Sequence, residues 1–158
     1  MENLIKTNTA KDKKREYDRR FIKEYYKRHK DYFKKKYEEG KGQYLYIFKS
    51  PKNRVIYYIG SCSNIRTRVN YHINGFSNVL YDIGNRDYKI EFLDVTNIVK
   101  NKVEREFLEK YLIFNKNPLY NIKLGFGREV ISKDRQEELI FLLEEIISEW
   151  IEIEKVNN

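Results

Sequence analysis

Arg68 and His72 lie four residues apart in a segment where Ile65, Val69 and Ile73 also step by four. On a helix the apolar trio makes a buried stripe, and Arg68 and His72 share one edge of it. A fixed positive charge beside an imidazole suits a phosphate-binding cleft. The same pair also reads as an ordinary snorkelling arginine and a half-buried histidine. Ser63 or Asn64 can cap that helix. Upstream, residues 44–49 and 55–59 are β-branched and aromatic, with the turn sequence Ser50-Pro51-Lys52-Asn53 between them. A loop centred on Lys52 sets Tyr46 opposite Tyr58 and Tyr44 opposite Gly60. Two phenols would then be cross-strand neighbours on one face of a sheet.

The rest of the chain supplies elements to position these groups. Residues 88–95 alternate as a third strand. Residues 99–115 read as a helix with Val103, Phe107 and Tyr111 on its inner face. Glu109 falls away from that stripe, with Arg105 one turn before it, the pattern of a solvent-exposed ion pair. Pro118 ends the helix, and Tyr120-Asn121-Ile122 resumes an extended segment. Residues 132–155 read as one amphipathic helix whose Leu139, Leu143, Ile146, Trp150 and Ile153 form a short heptad-like seam. Packing on its own domain is expected of that seam, with self-association as the rival. Residues 12–38 contain no Gly or Pro, and Tyr17, Phe21, Ile22, Tyr25, Tyr32 and Phe33 recur on one helical face. Gly40 and Gly42 then stop that helix.

Composition excludes several classes. One cysteine and two histidines cannot build a disulfide framework or a thiolate zinc site. No apolar run approaches the roughly 20 residues that span a bilayer, and the polar start lacks a signal-peptide core. The expected compartment is the cytoplasm, with no membrane partner. The net charge of +8 is unevenly spread: residues 1–42 carry +7, residues 43–130 carry +6 and residues 131–158 carry −5. This asymmetry, with a pI near 9.3, points to a polyanionic partner, most often nucleic acid. Three segments follow: a basic helical arm over 1–42, a central domain over 43–130 and an acidic amphipathic helix over 131–158. Lys27, Arg28, Lys34 and Lys35 of the arm are candidate phosphate contacts, with rings available to stack on bases. The alternative is a helix packed on the domain with its charges solvated.

Tyr44-Leu45-Tyr46 is followed twelve residues after Tyr46 by Tyr58-Ile59-Gly60-Ser61. Arg68 comes eight residues after Gly60, and His72 four after that. Glu109-x-x-Leu112-Ile113 and Pro118-Leu119-Tyr120-Asn121 follow. In order, spacing and residue type, residues 43–123 resemble the GIY-YIG endonuclease family. The pattern departs at Tyr44, where the signature has a glycine, and at Ser61, where some members have a lysine. Arg66 or Arg68 would then supply the missing cation. The fold implied is α+β, a three-stranded antiparallel sheet flanked by helices, here with an N-terminal basic helix and a C-terminal amphipathic one.

The chemistry implied by the resemblance is hydrolysis of a DNA phosphodiester with one divalent cation, Mg²⁺ or in its place Mn²⁺. Glu109 is then the metal ligand, with Glu106 as the competing carboxylate. Arg68 binds the scissile phosphate and Arg66 the neighbouring DNA. Tyr46 or Tyr58 takes a proton from water; the preferred assignment is Tyr46 as base and Tyr58 as its orienting partner. His72 contacts phosphate or assists the leaving group. Gly60 is a backbone position, and Asn121 fixes a loop through side-chain-to-backbone bonds. A free-standing nuclease of a phage or mobile element is the expected context. A small restriction-type enzyme or an inactive DNA-binding module on the same fold are the alternatives. The sequence points to no protein partner, and a monomer is favoured over a homodimer.

Overall fold

The computed structural model describes residues 10–121 and 131–154. The chain divides into two compact units, Met1–Glu39 and Gly40–Asn158. In the first, α1 (Ala10–Arg28) and α2 (Lys30–Glu39) replace the single helix expected over 12–38. The interruption is His29, whose ring nitrogen Nδ1 lies 2.9 Å from the Tyr25 carbonyl that its own backbone N–H also reaches. A side chain competing for a helical carbonyl is a known cause of such a break. The rings of this unit stay at the surface: Tyr17, Phe21, Tyr25, Tyr26, Tyr32 and Tyr37 are all exposed. Local pairs support the helices, among them Arg28 with Glu24 at 3.4 Å and Tyr26 against Phe33 at 4.5 Å between centroids.

The second unit is built on β1 (Lys41–Lys49), β2 (Ile56–Asn64) and β3 (Lys89–Asp94). Helix α3 (Ile65–Ile73) follows β2 directly, capped by the Asn64 side chain accepting from the Thr67 N–H. A short α4 (Val79–Ile83) leads to β3. Helix α5 (Lys102–Lys116) is capped by Asn101 and ends at Asn117, whose φ of +51° and following Pro118 stop it. The C-terminal segment forms α6 (Lys133–Ile146) and a short β4 (Ile151–Glu152).

The sheet is antiparallel in the order β2-β1-β3-β4, four strands rather than the expected three. The helix expected over 132–155 stops at Ile146. The chain then turns, Trp150 packs on one core, and Ile153 donates its N–H to the Ile90 carbonyl at 2.8 Å. Pairing with β3 satisfies backbone groups of an otherwise open edge, which a longer helix would leave unpaired. Ile122 and Lys155, the last residues of two expected segments, lie outside the described residues.

Strand β1 is covered on both faces, which is why Tyr44 to Phe48 are all buried. Its alternate residues feed two cores. Leu45 and Ile47 join Ile59, Leu93, Phe107, Leu108, Leu112, Leu139 and Leu143 under α5 and α6. Tyr44, Tyr46 and Phe48 join Tyr57, Cys62, Val69, Val79, Ile83 and Ile90 under α3 and α4. Of the expected inner face of α5, Phe107 is buried, Tyr111 half-buried and Val103 exposed, while Leu108 and Leu112, not on that face, are buried. Helix α6 causes the difference by covering a second side of α5. Arg135 clamps the buried Glu104 with Nε–Oε1 and Nη2–Oε2 contacts of 2.9 Å, and also donates to the Ile98 carbonyl. That guanidinium holds the Glu104 carboxyl below its usual range.

Because Leu143 is fully buried, Leu143→Ala should lower stability by about 2–5 kcal/mol in urea denaturation. A change below about 1 kcal/mol would show that α6 adds no core.

Candidate functional site

The site forms where β2, the outer strand, meets α3 and α5. Tyr46 does not face Tyr58 across the strands. It pairs with Gly60, while Tyr58 pairs with Phe48 and Tyr44 with Cys62. The ladder runs two residues away from the expected one: the loop closes on the Ser50 N–H to Val55 carbonyl bond rather than about Lys52, and the irregularity between Phe48 and Lys49 adds one residue more. A shift of two preserves the face, so the Tyr46 and Tyr58 rings still meet, 6.2 Å apart between centroids. Gly60 is the space that the Tyr46 ring fills. A Cβ there would sit 2.3 Å from Tyr46 Cζ and Oη, inside a buried ring that cannot swing away.

On α3 the buried positions are Ile65, Val69 and His72, not Ile73, which is exposed. The helix is therefore turned so that the imidazole points under the sheet while Arg68 stays in solvent. His72 Nε2 lies 2.8 Å from the Tyr46 hydroxyl, and Nδ1 lies 2.6 Å from Ser77 Oγ. Its ring also meets Phe48 at 5.3 Å and Tyr58 at 5.7 Å between centroids. Burial, aided by the Arg68 charge, pushes the His72 pKa down to about 4. The imidazole is thus neutral at neutral pH. With Nδ1–H donated to Ser77, Nε2 accepts the Tyr46 O–H.

Glu109 reaches β2 from α5. The Ser61 hydroxyl donates to its Oε2. Burial raises the Glu109 pKa, with the Glu106 charge adding to it, against the Ser61 bond and the Arg105 and Arg68 charges. Burial also lifts Tyr46 and Tyr58 well above an ordinary phenol. The neighbouring Tyr58 adds to the shift of Tyr46, and the Glu109 charge to that of Tyr58, while Arg68 opposes both. Arg68 is the shared cation: its charge acts on Tyr46, Tyr58, His72 and Glu109 alike. Behind these groups, Asn121 grips the outer edge of β2. Its Oδ1 accepts from the Ile59 N–H at 2.8 Å, and its Nδ2 donates to the Ile59 carbonyl at 2.7 Å. The side chain takes the place of a neighbouring strand.

Residues 42–121, half of the chain, match the family model of the GIY-YIG catalytic domain. The chain belongs to the GIY-YIG family. Similar solved structures include the GIY-YIG N-terminal endonuclease domain of UvrC from Thermotoga maritima bound to magnesium, its catalytic divalent cation. It is 27% identical, covering 52% of this chain and 86% of that one, at a TM-score of 0.42. Two point mutants of that domain bound to the cation match at 26% and 27% identity, each with a TM-score of 0.42. They cover 52% and 56% of this chain and 86% and 92% of theirs. No curated protein matches.

Within the GIY-YIG domain, Tyr46, Tyr58, Gly60, Arg68, His72, Glu109 and Asn121 are brought to one region. Glu106 pairs with Lys102 at 3.5 Å one turn away. Arg66 is exposed at the start of α3. Lys27, Arg28, Lys34 and Lys35 lie exposed on the other unit. Ser61 and Ser77 were not singled out as functional by sequence reasoning. Ser61 carried one signal, its place where some members have a lysine; Ser77 carried none. Among the described residues no cluster of three or more His, Cys, Asp or Glu side chains stands as a metal cage. A lone carboxylate beside a hydroxyl is a hard-oxygen donor set, which fits Mg²⁺ retaining most of its waters.

Acid should selectively destabilise this site. An imidazole kept neutral when folded takes its proton only on unfolding, so stability is lost as pH falls from about 6.5 towards 4. The loss for His72 is on the order of 3 kcal/mol at the lower end. Urea denaturation of wild type and His72→Gln at pH 7 and 4.5 should show a smaller acid loss in the variant. Equal losses would place His72 outside the buried network.

Proposed function

We propose that this protein is a divalent-metal-dependent DNA endonuclease that hydrolyses phosphodiester bonds at the β2–α3–α5 site. The observation that carries the reading is the convergence of a buried phenol–imidazole pair, a half-buried carboxylate and one shared arginine on the edge of a GIY-YIG domain. Each group answers a requirement of the reaction. Arg68, always charged and solvent-facing, binds the scissile phosphate. Tyr46 oxygen takes a proton from the attacking water as it passes its own proton to His72 Nε2, leaving an imidazolium. Burial alone disfavours that imidazolium, and so does the Arg68 charge. A phosphate paired with Arg68 cancels the second of these, so substrate binding prepares the base. Tyr58 orients the Tyr46 ring and the water. Glu109, fixed by Ser61, would hold the cation. When bound, the cation supplies charge that polarises the phosphate and stabilises the departing oxygen. Asn121 and Gly60 position β2 and take no proton.

The basic unit of α1 and α2 serves in this reading as a DNA-contacting arm. Its exposed lysines and arginines, Lys27, Arg28, Lys34 and Lys35 among them, neutralise phosphates without reading bases.

Glu109→Gln should abolish plasmid nicking in Mg²⁺ to the level of wild type in EDTA, while DNA binding and thermal stability stay close to wild type. Nicking at the wild-type rate by the variant would remove Glu109 from the reaction. Loss on Glu106→Gln instead would move the ligand by one turn.

Deleting residues 1–39 should weaken duplex DNA binding and flatten its salt dependence. Each lost phosphate contact lowers the log–log slope by about 0.9. An unchanged slope in the truncated, folded protein would exclude the arm from the DNA interface.

A further inference from the structure

Beside the catalytic histidine, two aromatic rings stand in solvent. Tyr71 is 43% exposed and Phe76 is 68% exposed. They stack nearly parallel, 5.7 Å apart with an interplanar angle of 25°. The Arg68 guanidinium lies over the Tyr71 ring at 5.6 Å, and His72 meets its edge at 5.8 Å. Arginine, tyrosine and phenylalanine thus form a continuous stack from the phosphate-binding position of the site out to solvent.

The backbone holds this stack rigid. After α3 the chain enters a left-handed turn at Gly75, φ +77°. Gly75 N–H bonds to the His72 carbonyl at 3.0 Å, and Phe76 N–H bonds to the Tyr71 carbonyl at 3.1 Å. This is a Schellman closure, and a contact between the residues in the Tyr71 and Phe76 positions commonly accompanies it. Such a contact ordinarily serves to cover the helix end. Here it leaves two large rings at the surface, and Ser77, the next residue, is anchored to His72 Nδ1 at 2.6 Å. The loop that carries Phe76 is therefore tied to the reacting groups.

We propose that Tyr71 and Phe76 form a nucleobase-stacking platform for an unpaired base of the substrate strand next to the phosphate held by Arg68. The proposal rests on the nucleic-acid reading above and deepens it. A π-face accepts any base, so the platform binds without sequence preference and favours strands whose bases are unstacked. The occupant is set by the neighbouring charge: a ring pair whose inner end is an arginine in solvent matches a nucleotide, with its apolar face and anionic phosphate, better than an apolar peptide. Rings already fixed by the helix cap lose little freedom on binding.

The test measures binding by the full chain in EDTA, where cleavage is suppressed. The probes are a fluorescent single-stranded oligodeoxynucleotide and an abasic strand of equal length and charge. Wild type should bind the base-bearing strand about tenfold more tightly than the abasic one. Phe76→Ala and Tyr71→Ala should bring this ratio down towards one, with the affinity for the abasic strand unchanged. Phe76→Tyr should restore it. Ratios within twofold of wild type in both alanine variants would overturn the proposal, as would a wild type that does not distinguish the two strands. Nicking in Mg²⁺ is scored separately, so a protein that stacks bases without cutting DNA would refute the nuclease reading and leave the platform standing. Both rings are exposed, so the substitutions leave the core intact, and a melting curve checks this.

Discussion

Tyr46 and His72 are both almost wholly buried, so the phenol oxygen and the imidazole Nε2 are satisfied by each other. That single hydrogen bond constrains much of the domain. Tyr46 can lie down only because Gly60 opposite has no Cβ. His72 can point inward only because α3 is turned to bury it in place of Ile73. Its second nitrogen needs Ser77, which folds the following loop back onto the helix end. An unmade bond in this chain would leave a buried donor or acceptor at a cost of about 1–3 kcal/mol. The same bond holds a phenol and an imidazole 2.8 Å apart, the contact on which the proposed proton relay rests.

The carboxylate arrives by a different route. Glu109 depends on how α5 docks, and α5 is held from two sides. The sheet takes Phe107, Leu108 and Leu112, while α6 contributes Leu139, Leu143 and the Arg135 clamp on Glu104. Past the end of α5, Leu119 and Tyr120 donate to the Ile56 and Tyr57 carbonyls, and Asn121 bonds both polar groups of Ile59. Arg86 lies over the Tyr57 and Tyr120 rings at 4.8 and 5.2 Å, holding this edge from outside. The acidic C-terminal segment, though far from the reacting groups in sequence, thus belongs to the support of the site.

Charge is distributed differently in the two units. The first unit carries exposed lysines and arginines beside exposed rings on α1 and α2. In the second, the solvent-facing Arg68 lies within electrostatic reach of Tyr46, Tyr58, His72 and Glu109. Its placement lets one side chain lower the pKa of an imidazole and oppose the burial of two phenols.

Much of this was written in the sequence, and the divisions follow from range. The spacing of Tyr46, Tyr58, Gly60, Arg68, His72, Glu109 and Asn121 determined the family, because strand and helix periodicities translate spacing into position over short distances. The Asn64 cap, one of the two candidates for α3, and the termination at Pro118 were local matters, and local signals sufficed. The partner of Tyr46 was not local. The loop closure between Ser50 and Val55 and a one-residue irregularity at Phe48 and Lys49 together set it opposite Gly60, and only the competing ladders of β2 and β3 fix where such shifts fall. The inner face of α5 is not legible locally for the same reason: a helix covered on two sides has no single stripe, and periodicity alone assigns Glu109 to the surface. The end of α6 at Ile146 and the strand beyond it were set by the open edge of β3, an unsatisfied row of backbone groups that does not exist until the sheet has formed. Sequence determined which groups were available to react; tertiary packing decided which of them met, because burial and edge pairing are properties of the assembled sheet and not of any segment.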